Sequence, residues 1–583
     1  MSKYYRITKL KPFFIIAIFS LLMLLPQIYQ HSVIIGGDAI FHMNRFYDAA
    51  MQIKTGHYNY FLSNFGFQQS ARIVNALYSP VIAYIAGLIL LIANSWLKFE
   101  LITSFFIFII SGLSMYLLAT KIHLSKTYAL IISLLYITTT SVSWWSVSQS
   151  FTSWGSAIMP LLLLCGIKMI SNKKHPINVL FLALITSLLI QTHILSSLIG
   201  VSALIPFVVA GFIQSNIKKS FVINLLKSVL LVIALTANIW GGMLEIFGSN
   251  KLVPTAPLVM TNNTNNFGSG MANFNNLGLV FSLLFIFQIV LTLLNWKKLT
   301  LTEKVINGTG GFYLILSSGL IPWSILSRLF PSLSTYLQFP QRLTVIANIL
   351  LLLGLGINLT KKELPQKLGT PILITLTILA GFDVNTNLNN VSNIWHGNQV
   401  VAVQSNTQVH SKDPNIVRTS FQKHNDLVNG LKMVEKPTSD YLPIVNQPKS
   451  ITFEQLNPYY QYSQQIINNK TNIHKTVTKN GDLKLSWFNH NNSNHDIQLS
   501  VIKYKHTCLR LNGNSLSKNF KTTAIGALII NSKPGANTLI LNYKAGSLFH
   551  ILSIICLISW LLLIIRIMFH HRKKAQYYPT KNE

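Results

Sequence analysis

Acidic side chains are scarce in this chain of 583 residues. Asp and Glu together number 15, against 47 Lys and Arg. Only 11% of residues are charged, where a soluble globular protein carries roughly 25%. That shortfall argues against an ordinary soluble enzyme. Cysteine is almost missing as well. Of three, Cys165 and Cys556 lie in apolar runs and only Cys508 in a polar region, which leaves no disulfide framework and no CxxC pair. No GxxxxGK[ST], HExxH or GxSxG is present, nor an EF-hand or a Cys/His zinc spacing. Much of the net charge of +32 falls in short clusters between apolar runs, and no basic segment is interleaved with aromatics in a nucleic-acid-binding pattern. This argues against a nucleic-acid partner and for a basic rim against anionic lipid.

Long apolar runs are abundant. "PFFIIAIFSLLMLLPQIY", "LITSFFIFIISGLSMYLLA" and "LFHILSIICLISWLLLIIRIMF" are each about as long as a bilayer core is thick. No small-x-small site follows the first run, which is read as a retained helix. Thirteen such segments are visible, and both ends of the chain are basic. Cytoplasmic ends require an even number of crossings. The expectation is a polytopic α-helical membrane protein with about twelve spanning helices. Segment 78–94 is then re-entrant or interfacial, or it spans and a later short segment does not. Residues 1–384 form the membrane domain, with outer loops 31–77 and 241–277. Residues 546–583 form a last membrane helix and a basic cytoplasmic tail. Between them, 385–545 holds alternating runs such as "DLKLSWF", "DIQLSVIKY" and "NTLILNY", separated by turn residues. That pattern predicts an extracytoplasmic β-rich, sandwich-like domain. Its earlier part, "TSFQKHNDLVNGLKMV", reads as helical. Richness in Asn, Lys and Ile suggests an AT-rich genome, as in many Gram-positive bacteria.

Seven acids lie in 385–545. The rest are Asp38, Asp48, Glu100, Glu245, Glu303, Glu363, Asp383 and Glu583. Glu303, Glu363 and Glu583 sit among lysines on the cytoplasmic side, and Glu100 and Asp383 at helix ends. Asp38, Asp48 and Glu245 remain as outer-face carboxylates near the helix bundle. Asp38 opens "GGDAIFHMNRFYDAAMQIK", where the glycines allow a sharp change of direction and Asp38 suits an N-cap. His42, Arg45 and Asp48 follow on one face of an amphipathic helix. A capping Asp on a wet helix face is the plainer reading. Proximity to a membrane cavity favours function, with Asp48 as the member left to solvent.

A second cluster is "YLQFPQRLTVIAN", with Gln338 and Arg342 beside a helix start and Arg328 just upstream. Arginine at this rim suits a lipid-linked phosphate. A snorkelling anchor is the alternative. His193, in "LLIQTHILSS", is a further pocket candidate. Trp144, Trp145 and Trp154 read first as an interfacial belt and second as sugar-stacking surfaces.

The motifs "GDAIFHMNRFYD", "YSPVIAYIAGLI", "QTHILSS", "LQFPQRL" and "SDYLPIV" together resemble the GT-C class of membrane glycosyltransferases. Within it, the chain is most similar to the bacterial proteins labelled "6-pyruvoyl-tetrahydropterin synthase-related". The resemblance covers most of the chain. It implies a GT-C-like fold and sugar transfer from a polyprenyl-phosphate donor at the outer membrane face. It carries over Asp38 as the first-loop acid, His42 and Arg45 as its neighbours, and Arg342 as a phosphate ligand.

The expected activity is thus an inverting glycosyltransferase acting on a cell-surface glycan or teichoic-acid-like wall polymer. Asp38 is its base, with His42 tuning it. Glu245 and His193 are further substrate-binding candidates with Arg45, Arg328, Gln338 and Arg342. No DxD marks a metal site. A divalent metal would need Asp48 or Glu245 as second ligand, so the cofactor stays open. A flippase of lipid-linked sugars needs polar groups deep in several helices, and few are present. A non-catalytic wall-assembly scaffold is the third alternative.

Overall fold

A computed structural model describes residues 2–361, 366–448, 450–518 and 520–577. Most side chains of the basic termini, Glu583 and residues 362–365 with Glu363 lie outside the described residues.

Seven described helices are long and apolar enough to cross a membrane: Trp96–Lys121, Lys126–Ser148, Thr152–Ser171, Ile194–Gln214, Pro340–Thr360, Lys367–His396 and Ser547–Phe569. The pair Lys218–Leu235 and Ala237–Ser249, bent by 61°, brings the number to eight if it is one span. Twelve is not reached, because several apolar runs are broken. The first run divides before Leu25–Gln30, which has proline in its first turn. Its described apolar part is only Leu10–Leu22. Val179–Thr192 and Gly278–Leu294 are also short. The run at 308–326 belongs to a helix Leu301–Ser317 that stops before Trp323–Leu329.

Pro80–Ala93, in segment 78–94, has 14 residues. At 1.5 Å per residue it reaches about 21 Å, short of a core of roughly 30 Å. Its Ala83, Ala86, Gly87 and Leu90 are buried at one-turn spacing. A Cβ on Gly87 would stand 2.7 Å from the Ala50 nitrogen, so this face touches the backbone of the helix Ala39–Thr55.

The helix expected to end at 384 runs from Gln366 to His396. Its last turns are polar, which is why the apolar run alone understates it. Beyond it lie short helices, Pro414–Gln422 and Val428–Met433, then two antiparallel sheets. One has five strands, with Leu483–Asn489 and Gly535–Tyr543 at its centre. The other has three, with His495–Ile502 at one edge. Leu485, Leu539, Val501 and Ile530 from both sheets share one buried cluster, the alternation expected of a sandwich. Phe61, Leu62 and Ile73 of the first outer loop belong to the same cluster. The sandwich is therefore fused to that loop, with the Ile502 N–H donating to the Ser70 carbonyl at 2.8 Å.

Candidate functional site

The approach to Asp38 is pinned from two sides. Glu100 accepts from the Ile34 N–H at 3.0 Å and from Gln27 Nε2 at 2.8 Å. The next residues press against a helix break: the Gly36 N–H donates to Gln149 Oε1 at 3.0 Å and the Gly37 N–H to Ser148 Oγ at 3.1 Å. Neither glycine has a positive φ. They serve close approach rather than the sharp turn expected, since a Cβ on Gly36 would sit 2.5 Å from Ser148 Cα. Gly36→Ala is therefore expected to cost about 1–3 kcal/mol by overpacking against backbone. Gly37→Ala meets only a side-chain hydroxyl at 3.1 Å and should cost less. Thermal unfolding in detergent compares the two, and equal midpoints would contradict the packing argument.

Asp38 stands at the N-cap of Ala39–Thr55, yet its side chain makes no cap bond. The carboxylate has no hydrogen-bond or ion-pair partner among the described residues. Asp38 is an exposed residue with protein packed closely around it. That enclosure raises its pKa, Lys436 and Arg342 pull it down, and Asp440 pushes it up. Lys436 Nζ donates to the Gly37 carbonyl. Arg342 donates from Nη1 to the Leu337 carbonyl at 3.0 Å and lies 4.4 Å from the Phe339 ring centre. Its Nε is buried without a partner.

Behind Asp38 the helix buries its polar face instead of wetting it. Arg45 is fully buried among aromatic rings, 4.3 Å from that of Tyr78 and 5.0 Å from that of Phe151. It donates to Asn75 Oδ1 at 3.2 Å and to the Tyr78 carbonyl. Its Nη1 lies 3.0 Å from His42 Nδ1. A guanidinium only donates, so Nδ1 accepts and the imidazole proton sits on Nε2. Burial, then Arg45, holds His42 far below its usual pKa and therefore neutral. Its ring stacks on Phe151 at 4.8 Å. The His42 N–H donates to the Asp38 carbonyl at 3.1 Å as an ordinary helix bond. No side-chain hydrogen bond joins the two among the described residues, so any tuning of the carboxylate passes through backbone and packing. Arg45, spent on these partners, is not free to meet a phosphate.

Asp48 departs furthest from expectation. It is buried, accepting from the Phe65 and Gly66 N–H groups at 2.9 and 3.2 Å and from Gln52 Nε2 at 2.9 Å. Burial pushes its pKa up to about 6 against those bonds. An unfolded Asp titrates near 3.8. The stability tied to this raised pKa is therefore full below 3.8 and lost as pH rises through about 6. The loss is on the order of 3 kcal/mol. Asp48→Asn lacks this titration. Its unfolding midpoint should gain on the parent's between pH 4 and about 6 and level off above that. A constant gap across that window would rule the assignment out.

The other candidates separate. His193 lies near Asp38's surroundings, its ring 5.9 Å from those of Tyr78 and Phe151. Its Nδ1 accepts from the Ser196 N–H at 3.2 Å, capping Ile194–Gln214. Gln338 donates to the Ala256 carbonyl at 2.8 Å and ties two loops together. Arg328 is exposed at the end of Trp323–Leu329 and is not among the charges acting on Asp38. Glu245 accepts from His506 Nδ1 at 2.7 Å, Tyr543 OH at 3.1 Å and the Gly546 N–H at 3.2 Å. These bonds join Ala237–Ser249 to the sandwich and to the head of the last helix.

Lys436 and Asp440 were not among the expected site residues. Setting aside the seven acids of 385–545 hid Asp440, although "SDYLPIV" was already singled out. The Thr438–Asp440 turn is held by a buried residue of the first outer loop. Arg72 donates to Thr438 Oγ1 at 2.7 Å and to the Asp440 carbonyl at 2.6 Å. Tyr441 follows with φ +62°, a strained value for a bulky side chain. Two carboxylates, Asp38 and Asp440, thus lie near Lys436, whose charge acts on both, and Arg342 acts on Asp38. Among the described residues no third His, Cys, Asp or Glu completes a metal-binding group. This donor set, with lysine acting on both carboxylates, does not fit a metal.

No protein-family model matches the chain. No curated protein matches it either. Among solved structures, the apo Archaeoglobus fulgidus oligosaccharyltransferase is similar at 13% identity and TM-score 0.36. The match covers 78% of this chain and 63% of that one. So loose a likeness carries no argument about activity.

Proposed function

We propose that the protein is a membrane glycosyltransferase. It moves a sugar from a polyprenyl-phosphate donor to a cell-surface glycan or wall polymer on the outer membrane face. The observation that carries this is an exposed carboxylate without a polar partner among the described residues, Asp38, with the charges of Arg342 and Lys436 close by. We take the space before it as the substrate cleft. Asp38, raised above the usual carboxylate range, takes the proton of the acceptor hydroxyl. The acceptor oxygen forms a bond to the anomeric carbon as the bond from that carbon to the phosphate oxygen breaks. The electron pair leaves with the lipid phosphate, whose growing charge Arg342 and Lys436 stabilise. Arg45 and His42 act as positioning residues beneath Asp38. The segment leading into the sandwich supplies Lys436 and Asp440, and the sandwich beyond it offers the acceptor surface.

The test compares envelope sugars in the parent, a deletion strain and an Asp38→Asn strain. The proposal expects Asp38→Asn to reproduce the deletion with normal protein levels. Parental sugars in the point mutant would overturn it and favour a scaffold.

A further inference from the structure

We infer that the cavity at the basic end of the helix bundle binds the phosphate of an anionic lipid. It is a site separate from the Asp38 cleft. The helix Thr344–Thr360 starts two residues after Arg342 and runs to the cavity at Thr360 and Lys361. Its 17 residues place the two sites about 25 Å apart along the bundle. The cavity holds about 800 Å³, within the range of roughly 300–1,000 Å³ usual for small-molecule sites.

Four separate helix ends build it. Lys121 closes Trp96–Lys121 and Lys168 lies in the last turn of Thr152–Ser171. Thr300 and Glu303 open Leu301–Ser317, and Lys361 follows Thr360. The wall is apolar, with Ile122, Ile167, Ile306 and Ile357. The rim is cationic, and its one acid is already occupied. Glu303 is bridged by Lys361 and accepts from the Thr300 N–H and hydroxyl, each at 2.9 Å. Lys121, Lys173 and Lys174 are exposed and have no ion-pair partner among the described residues.

Two plainer readings fall short. Helix C-termini favour lysine, which accounts for Lys121 and Lys168 but not for Lys173 and Lys174 in the loop beyond. The positive-inside bias places lysines along a membrane rim. It does not require them to converge on one cavity with an isoleucine wall. A cationic rim over an apolar wall matches an amphiphile, with its phosphate among the lysines and its chain against the isoleucines. A free phosphate would leave that wall unfilled.

The experiment uses the full chain in neutral detergent. Three probes are titrated: dioctanoyl phosphatidic acid, dioctanoyl phosphatidylcholine and inorganic phosphate. The expected result is tighter binding of phosphatidic acid than of either other probe. Lys121→Gln/Lys173→Gln/Lys174→Gln should weaken it at least about ten-fold. A control with the same charge change, Lys470→Gln/Lys505→Gln/Lys518→Gln in the sandwich, should leave it unchanged. Equal binding of phosphatidylcholine would overturn the role of charge. Equal binding of inorganic phosphate would overturn the lipid. An unaffected cavity variant, or an equally weakened control, would overturn the site.

Discussion

Asp38→Asn lowers the rate of sugar transfer by at least about 100-fold while the chain stays folded, the usual scale for losing a general base. Asn keeps the shape of the carboxylate and removes its ability to take a proton. The fold has little to lose, because the Asp38 side chain caps nothing and has no polar partner among the described residues. Parental unfolding midpoint with lost activity is therefore the expected pair of results. Asp440→Asn provides the contrast. It removes a charge that acts on Lys436 and Asp38 but leaves the base in place. Its effect should be several-fold smaller. The pH profile of the parent gives an independent reading. Asp38 must be ionised to act, and its pKa is raised. Activity should climb with pH through a limb lying above the ordinary carboxylate range near 3.9. Transfer at the parental rate by Asp38→Asn would exclude a base role, whatever the profile.

Parts of this site were open to reading in the chain itself. With so few acids, elimination leaves Asp38, Asp48 and Glu245, and Asp38 is picked out among them by the motif that carries the family resemblance. Arg342 is marked by a proline two residues earlier and an apolar helix just after it. The sandwich strands announce themselves through alternation, as in Leu483–Asn489, whose inward residues are buried in turn. Other features were hidden for physical reasons. An amphipathic pattern says which residues share a face, not whether that face meets water or buried partners. Asp48 and Arg45 were misread on that point, since Phe65, Gly66, Asn75 and Tyr78 come from the chain that folds back over them. Lys436 and Asp440 approach Asp38 across about 400 residues of sequence, a juxtaposition no local pattern encodes. The expected twelve spans are not confirmed among the described residues, where several apolar runs form helices too short to count, such as Val179–Thr192 and Gly278–Leu294.

The residue whose loss should cost the fold most is Arg72. It is fully buried in the first outer loop and reaches into the sandwich. Two donor bonds end on Thr438 and Asp440, and the guanidinium lies 4.8 Å from the ring centre of Tyr462 and 5.1 Å from that of Phe67. Arg72→Met fills much of the same volume but supplies no donor. The Asp440 carbonyl and the Thr438 hydroxyl lose their partner, at about 1–3 kcal/mol for each group left unpaired. The Asp440 carboxylate also loses the charge that pulls its pKa down most. It would protonate at higher pH and hold Lys436 less well. The strained Tyr441 backbone, fixed on one side by Tyr504 OH donating to its carbonyl at 3.0 Å, would be released on the other. Arg72→Met should therefore lower the unfolding midpoint and reduce transfer together, with the outer sandwich becoming protease-sensitive before the helices. Arg72→Lys retains a charge without the fork that spans both acceptors. It should recover part of the activity and less of the stability. If Arg72→Met unfolds and transfers like the parent, the clamp between loop and sandwich does not hold the cleft. Asp38 would then owe its environment to the helix bundle alone.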